Sequence, residues 1–353
     1  MIRIDLALPL TTFVILAFGL LTLSTAAPSN ELIRQLVFLG AGIVASAATL
    51  WLGRRRLLRF SMHLYIATMG LLVLTKLIGA TINGAKSWLI LGPLPGFQPS
   101  ELSKIALILA LASVFHERPV QGPMSYLRPV VLIALPVGLV FLEPDLGSAL
   151  VLAAVGVGIF MIRGIPWRHL VVFGTLFLVA VPTIVWPNLE PHQKERMVSF
   201  LNPAADPQGS GYQVIQSTIA VGSGGLFGKG YGRGTQSQFG FIPYRHTDFI
   251  FPVLAEEGGF AAASVLLLLY GLLFWRLASM AMECIFQRDQ FIVAGVLVLI
   301  GFQVLVNVGV TLGLAPVTGI TLPLVSYGGT SLIATLLGLT LAYVVHRDRY
   351  ADR

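Results

Sequence analysis

The sequence has 353 residues, of which 56% are hydrophobic and 11% are charged. Soluble domains carry roughly 25% charged residues, so this composition excludes an ordinary soluble fold and indicates a membrane protein. The formal net charge of +7 is scattered between apolar stretches, which argues against a nucleic-acid-binding face, and a single cysteine excludes an intrachain disulfide.

Ten apolar stretches are candidates for membrane helices, because a hydrocarbon layer of roughly 30 Å needs about 20 apolar residues. They predict an all-α polytopic membrane protein with a single domain, residues 1–353, without repeats or a flexible linker. The predicted helices lie near residues 6–26, 33–52, 60–80, 100–115, 129–142, 147–162, 169–186, 250–275, 291–312 and 327–345.

Three of these stretches need comment. The first follows Arg3 and precedes small residues, as a secretory signal does, but its apolar run, Leu6–Leu23, exceeds the roughly 7–15 residues of a signal peptide. We therefore expect it to be retained as a span. The fifth and sixth are short and contain or follow prolines, so we expect other helices to cover them or a cavity to adjoin them.

The basic residues predict the orientation, because short cytoplasmic loops are enriched in Lys and Arg. A cytoplasmic N-terminus places fourteen basic residues inside, whereas the short outer loops hold only Arg34 and Lys86. Both termini are thus expected in the cytoplasm. The large segment between the seventh and eighth helices, residues 187–249, is expected on the extracytoplasmic side.

This outer segment is where a functional site is expected, since long loops in compact proteins are usually functional or disordered. Its apolar residues argue against disorder, and Tyr212–Val221 has helical spacing. Glycines are dense between residues 209 and 240, with Lys229 and Arg233 among them. Because glycine lets backbone N–H groups approach an anion, the stretch is either an anion site or a mobile, soluble loop.

Asp248 lies at the mouth of the eighth predicted helix, directly after Arg245 and His246. An acid entering a membrane helix is costly and indicates a functional site. Burial would raise the pKa of this carboxyl and the neighbouring positive charge would lower it, and a carboxylate so placed can act as a general base. The alternative is that Thr247 or Asp248 only caps the helix.

Further acidic residues lie at the ends of other helices. Glu101 and Lys104 share one face of the fourth helix, where Ser100 could cap the N-terminus. They are either a structural ion pair or a pair that holds a phosphate or positions a catalytic acid. Glu143 and Asp145, between the fifth and sixth helices, are either functional or simple turn residues.

The ninth helix carries polar residues at every fourth position, Gln303, Asn307 and Thr311, and these indicate a polar stripe facing the bundle. Hydrogen bonding between helices explains such a stripe. Residues 316–329 are apolar yet rich in Pro and Gly, which predicts an irregular or re-entrant loop packed against protein.

The sequence lacks the motifs of the common soluble enzymes. Its six histidines do not have metal-ligand spacing, and there is no HExxH, Ser/His/Asp arrangement, P-loop or dinucleotide fingerprint. An enzyme acting on a membrane-borne substrate and a transporter both remain open.

Several motifs, in order along the chain, resemble those of the SEDS (shape, elongation, division and sporulation) family. They are Asn83-Gly84-Ala85-Lys86-Ser87-Trp88, Phe97–Lys104, Glu143–Gly147, Asn202-Pro203 with Asp206-Pro207, Gly211-Tyr212-Gln213, Gly222–Gly230, His246–Phe251 and Ser326–Ser331.

Within this family the chain resembles the RodA branch more than the FtsW division branch, on the basis of Gly234–Gln238 and of Val317-Thr318-Gly319 before Leu322-Pro323-Leu324. One departure is Tyr244, where the family commonly has Glu. This departure puts in doubt any role assigned to an acid at that position.

The resemblance implies a ten-helix peptidoglycan glycosyltransferase in the bacterial plasma membrane, which polymerises lipid II during elongation and shape maintenance. It implies a class B penicillin-binding protein as the crosslinking partner, contact with membrane lipids, and no nucleic acid. It matches Asp248 to the essential acid, and Glu101 and Lys104 to a pair important for activity.

Basic residues near these motifs are the candidates for binding the substrate pyrophosphate, and a divalent cation such as Mg could share that task. These candidates are Lys104, Lys194, Arg196, Lys229, Arg233 and Arg245, with His246 beside them, and the sequence does not rank the five basic residues after Lys104. The remaining alternatives for the function are a lipid II flippase or other transporter, a scaffold, and an FtsW-like division polymerase.

Overall fold

The computed structural model describes residues 5–82, 85–90, 96–117, 123–164, 166–202, 206 and 209–349. Of the sequence features above, Asn83, Gly84, Pro203 and Pro207, and the basic residues Arg3, Arg118 and Arg353, lie outside the described residues.

Each of the ten predicted membrane helices corresponds to one helix of the structure. They are α1 (Ala7–Ala26), α2 (Ser29–Arg59), α3 (Ser61–Ile78), α4 (Pro99–Glu117), α5 (Leu127–Phe141), α6 (Leu146–Ile162), α7 (Trp167–Ala180), α12 (Ile250–Glu283), α13 (Gln287–Thr311) and α14 (Gly329–Arg347). In the described part of the chain, eight helical stretches are long and apolar enough to cross a membrane, α5 being counted from Met124 with the 3-10 turn before it. α6, with 17 residues, and α7, with 14, are shorter. The prediction of an all-α polytopic membrane protein is confirmed.

Short elements connect these helices. A hairpin of β1 (Ala80–Ile82) and β2 (Ala85–Trp88) follows α3, and a 3-10 turn, Pro123–Tyr126, precedes α5. About half of the described residues in the segment 187–249 are helical. This segment is reached through a π-helical turn, Val181–Val185, and the short α8 (Trp186–Asn188), and contains α9 (Pro191–Leu201), α10 (Ser210–Ser223) and α11 (Thr235–Gln238).

Two helices run past their predicted ends, α2 to Arg59 and α12 to Glu283. Hydropathy detects only the part of a helix that lies in hydrocarbon, so polar turns in the headgroup region are missed. Both helices are also broken by a glycine in the left-handed region, Gly53 with φ 68° in α2 and Gly259 with φ 69° in α12. Other residues adopt this conformation only under strain.

The core lies along α4, α6, α13 and α14. The most apolar 18-residue stretch is 78% buried in α4 and 72% in α14, but only 6% in α2, whose apolar side chains face outward as expected for contact with lipid. The prediction that the fifth and sixth helices are covered is confirmed for α6, where Leu152, Val155 and Ile159 are fully buried. For α5 the cavity alternative holds: three of its residues are buried, and the face around Leu135 and Gly138 lines an open cavity of about 640 Å³.

The two ends of the bundle differ in composition. At one end Asp5 pairs with Arg276, which also contacts Glu283, and Glu283 pairs with His346. Residues near both termini therefore meet at this end, which we call the terminal end. The segment 187–249 packs at the opposite end, called here the loop end, where the Arg245 guanidinium donates to the carbonyl of Ala26 at 2.8 Å.

Candidate active site

Asp248 occupies a short turn at the loop end, immediately before α12. The turn is closed by the carbonyl of Tyr244, which accepts hydrogen bonds from the N–H groups of Thr247 (3.0 Å) and Phe249 (3.4 Å). Neither Thr247 nor Asp248 caps α12, because its N-cap residue is Phe249 and no side-chain cap bond is formed. The capping alternative is therefore not supported, and the Asp248 carboxylate is available for another role.

Three successive carbonyls of this turn are each held by a different donor from α13 or from the irregular loop 316–328. The backbone is therefore fixed at three consecutive residues, which limits how far Asp248 can move. The Tyr327 N–H donates to the carbonyl of His246 (2.8 Å), the Ser326 hydroxyl to the carbonyl of Thr247 (2.6 Å), and the Asn307 amide nitrogen to the carbonyl of Asp248 (2.9 Å).

Arg196 of α9 and Asp248 face one another across Gly319. A β-carbon at Gly319 would lie 3.9 Å from the Arg196 Nη1 atom and 3.9 Å from the Asp248 Oδ2 atom. The two groups thus line the same small space, which the absence of a side chain at residue 319 keeps open. Burial raises the pKa of Asp248 to about 6, while Arg196 lowers it and Asp145 raises it. A carboxyl group with this pKa is ionised at neutral pH and can still accept a proton.

The turn between α5 and α6 supplies two acids with different surroundings. Asp145 caps α6 by accepting the N–H of Ser148 at 3.0 Å, and it also accepts the side-chain amide of Gln98 at 2.8 Å. Glu143 is fully buried, and neither of its carboxylate oxygens has a partner among the described residues. Glu143 therefore lies in a turn, as one alternative held, but it is not a simple surface residue. Burial raises its pKa to about 8, with a further rise from Asp145 and an opposing effect of Lys76.

Glu101 and Lys104 form a buried ion pair near the start of α4, with 2.7 Å between the carboxylate and ammonium. In the described part of the chain no hydrogen bond or ion pair joins them to Asp248. The predicted cap is wrong, because α4 begins at Pro99, one residue before Ser100, and the buried Ser100 hydroxyl has no partner among the described residues.

The glycine-rich stretch packs against the break in α12. At this break the N–H groups of Phe260 and Ala261 bond to the carbonyls of Gly225 (2.8 Å) and Leu226 (3.0 Å). A side chain at Gly228 or at Gly259 would collide with the backbone of the other segment.

The reverse bonds complete the contact, since the N–H groups of Lys229 and Gly230 each donate at 3.0 Å to the carbonyls of Glu256 and Glu257. We call this set of four backbone bonds the splice. The glycines allow the two backbones to approach closely enough to form the splice. This role is neither the anion site nor the mobile, soluble loop that the sequence left open.

The Glu256 carboxylate extends the splice by holding Lys229 and α11. It is fully buried and pairs with the Lys229 ammonium at 2.7 Å. The same carboxylate accepts the N–H groups of Gln236 (2.8 Å) and Ser237 (3.1 Å). Lys229 is thus bonded to an internal carboxylate, which weakens the predicted role in binding an anion.

The other candidate cations are placed differently. Lys194 donates to the carbonyl of Pro187 at 3.3 Å, and Arg233 is exposed, with no hydrogen bond or ion pair of its guanidinium in the described region. His246 contacts Glu31 at 3.1 Å, and burial lowers its pKa, with Glu31 raising it and Arg245 lowering it further. Of the loop cations, Arg196 is the one placed beside Asp248.

The described residues contain no group of three or more His, Cys, Asp or Glu side chains that could hold a metal ion. Participation of a divalent cation such as Mg therefore stays a prediction.

The sequence matches the model of the FtsW/RodA/SpoVE family of cell cycle proteins over residues 4–351. The chain is a member of this family. The prediction of SEDS membership is confirmed, because this is the family to which that resemblance pointed.

Among FtsW/RodA/SpoVE relatives, the peptidoglycan glycosyltransferase MrdB of Escherichia coli K12 is 41% identical, over 81% of this chain and 78% of its own length. A probable peptidoglycan glycosyltransferase FtsW of Neisseria gonorrhoeae is 36% identical, over 94% of this chain and 83% of its own.

Solved structures of this family match the whole fold. The rod shape determining protein RodA of Thermus thermophilus is 41% identical and superposes with a TM-score of 0.77 over 99% of this chain and 98% of its own. A chain from a structure described as the structural coordination of polymerization and crosslinking by a peptidoglycan synthase complex is 47% identical. It has a TM-score of 0.87 and covers 100% of both chains. These matches confirm the resemblance to RodA.

Proposed function

We propose that this chain is a RodA-type peptidoglycan glycosyltransferase that polymerises lipid II, with Asp248 as the general base. The observation that carries the proposal is the meeting of Asp248 and Arg196 at Gly319, which places a proton acceptor and a cation around one open space. The related proteins of E. coli and N. gonorrhoeae bear the same enzymatic name.

The chemistry requires one proton acceptor and stabilisation of one leaving group. The Asp248 carboxylate takes the proton of the acceptor sugar hydroxyl while the hydroxyl oxygen attacks the anomeric carbon of the donor. The bond from that carbon to the pyrophosphate oxygen breaks, and the prenyl pyrophosphate departs with the electron pair. This single displacement inverts the anomer, so an α-linked donor yields a β-linked glycan.

Arg196 supplies positive charge where the pyrophosphate forms. Pyrophosphate is already a good leaving group, so a cation can replace a second carboxylic acid. The Glu101–Lys104 pair is already neutralised internally, and its role in this proposal is to hold the start of α4 beside Gln98 and Asp145.

The membrane orientation and partner belong to the same proposal. The fourteen basic residues assigned to the cytoplasmic side place the terminal end there, and the loop end with Asp248 on the outer face. A class B penicillin-binding transpeptidase is the proposed partner, supported by the similarity to a chain of a peptidoglycan synthase complex.

The test is polymerisation of labelled lipid II by the full chain purified in detergent, with and without the partner. Asp248→Asn should fold normally and make no glycan, and Arg196→Gln should lower the rate strongly. Glu195→Gln is the matched control, because it changes an exposed acid next to Arg196. Normal polymerisation by Asp248→Asn would remove the base assignment. Absence of polymer from the wild type in both arms would instead favour a transporter or scaffold, since detergent removes the two sides that transport needs.

A further inference from the structure

Asn307 lies at the junction of the two segments that form the candidate active site. It is on α13, one turn after Gln303 and one turn before Thr311, and its side chain is 1% exposed. Its amide nitrogen donates to the carbonyl of Asp248 at 2.9 Å and to the carbonyl of Ile320 at 2.8 Å. One side chain therefore joins the turn that carries Asp248 to the loop that carries Gly319.

The two bonds of this junction use only the amide nitrogen of Asn307, since its amide oxygen has no partner among the described residues. An Asn side chain offers two N–H donors from a single nitrogen, which matches the two carbonyls that converge on it. A leucine would leave both carbonyls unpaired in a buried position, and a serine could serve only one of them. Burial of a polar side chain without such bonds would be unfavourable, so the two bonds account for a polar residue at this position.

The two carbonyls fix the geometry of the catalytic space. Ile320 directly follows Gly319, the residue whose missing side chain opens the space between Asp248 and Arg196. Holding Ile320 and Asp248 with one amide sets the distance from the base to this glycine wall. The neighbouring carbonyls of the turn are held by Ser326 and Tyr327, but these donors do not contact Asp248 itself.

We propose that Asn307 is a positioning residue for Asp248, which keeps the carboxylate against Gly319 and beside Arg196 so that it is aligned with the acceptor hydroxyl. This inference rests on the proposed function. A displacement of about 1 Å in a reacting group can lower a rate about 100-fold, so the loss of one anchoring side chain should be visible in turnover.

A second consequence concerns the pH dependence. Asp248 faces Arg196 of α9 and Asp145 at the start of α6, and burial outweighs the effect of Arg196 in setting its pKa near 6. Release of the turn would admit water to the carboxylate, and its pKa would fall towards the usual range. The acidic limb of the rate profile should then move to lower pH.

The experiment compares Asn307→Leu with Thr311→Val in the detergent polymerisation assay. Thr311 is on the same stripe and is also buried, but its hydroxyl donates only within α13, to the carbonyl of Val308 at 2.8 Å. We expect Asn307→Leu to lower kcat about 100-fold with KM changed less than about threefold, and to shift the acidic limb downwards. Thr311→Val should leave kcat and the limb unchanged. If Asn307→Leu does not fold, Asn307→Ser, which keeps one donor, takes its place.

Three outcomes overturn the inference. These are, for the Asn307 variant that folds, a kcat within about threefold of the Thr311→Val value, a fall in kcat with an unmoved acidic limb, and a fall in kcat that disappears when the rate is expressed per folded protein. Failure of the proposed function is distinguishable, because it appears as polymerisation by Asp248→Asn whatever the Asn307 variants do.

Discussion

The Lys229–Glu256 pair provides the sharpest test of how the glycine-rich stretch is used. If this pair is part of the splice, removing it should cost stability, whereas an anion site would lose substrate affinity. Glu256 is fully buried and accepts hydrogen bonds from Lys229 and from the N–H groups of Gln236 and Ser237. Lys229 is 26% exposed, so its own contribution is partly screened by solvent.

The expected magnitudes follow from these contacts. Glu256→Ala leaves two backbone donors and a lysine without their carboxylate, and breaking a buried charged pair in this way costs about 3–5 kcal/mol of unfolding free energy. Lys229→Met removes only the partly exposed partner and should cost about 1–2 kcal/mol. Arg233→Met, which removes the same charge from an exposed residue of the same loop, should cost less than about 0.5 kcal/mol.

The assay is denaturant unfolding in detergent, followed by tryptophan fluorescence, together with KM for lipid II. A double-mutant cycle with Glu256→Gln and Lys229→Met should give a coupling of about 1–2 kcal/mol, because the two residues share one bond. KM should stay within about threefold of wild type in Lys229→Met. A coupling near zero combined with a large rise in KM would show that Lys229 binds substrate and that the splice interpretation of its side chain is wrong.

Three further perturbations have outcomes that the structure sets. Polymerisation should fall as the pH drops through about 6, since the pKa of Asp248 is raised to about 6 and the base is active only when ionised. A rate that is constant from pH 7 to pH 5 would contradict this expectation. Relative to wild type, Glu143→Gln should become more stabilising as the pH rises from about 5 to 8. The pKa of buried Glu143 is raised to about 8, so wild type must take up a proton to fold in this pH range, and that uptake is less favourable at higher pH. The same difference in unfolding free energy at pH 5 and at pH 8 would refute this expectation. Arg54→Met should cost about 3–5 kcal/mol, since Arg54 and Asp289 are both buried and 2.8 Å apart, and a second change, Asp289→Leu, should restore part of it in the same unfolding assay.

The positions of the membrane helices could be predicted because each depends on a local property, a stretch of apolar residues as long as the hydrocarbon layer. Whether other helices cover α5 or a cavity adjoins it could not be predicted, because this depends on neighbours that are remote in sequence. The same holds for the breaks at Gly53 and Gly259, which require a backbone conformation rather than a composition.

Within the candidate site, Asp248 could be singled out because a carboxylate at a helix mouth is unusual. The rank of Arg196 among the loop cations could not, since it depends on the fold of α9 against Gly319. Asn307 was recognisable only as part of a polar stripe. The signal that could have found its partners was the pair of motifs around Gly319 and Ser326, which indicated the family but not the contact with the Asp248 turn.

The splice at Gly259 joins the outer segment to the first part of α12 through backbone hydrogen bonds. Its four backbone bonds run in both directions between the two segments, so separating them would require breaking all four. Phe227, whose side chain is 84% exposed, projects from this joined unit. The exposed Phe227 is therefore held against the first part of α12, the helix that begins at Ile250, two residues after Asp248.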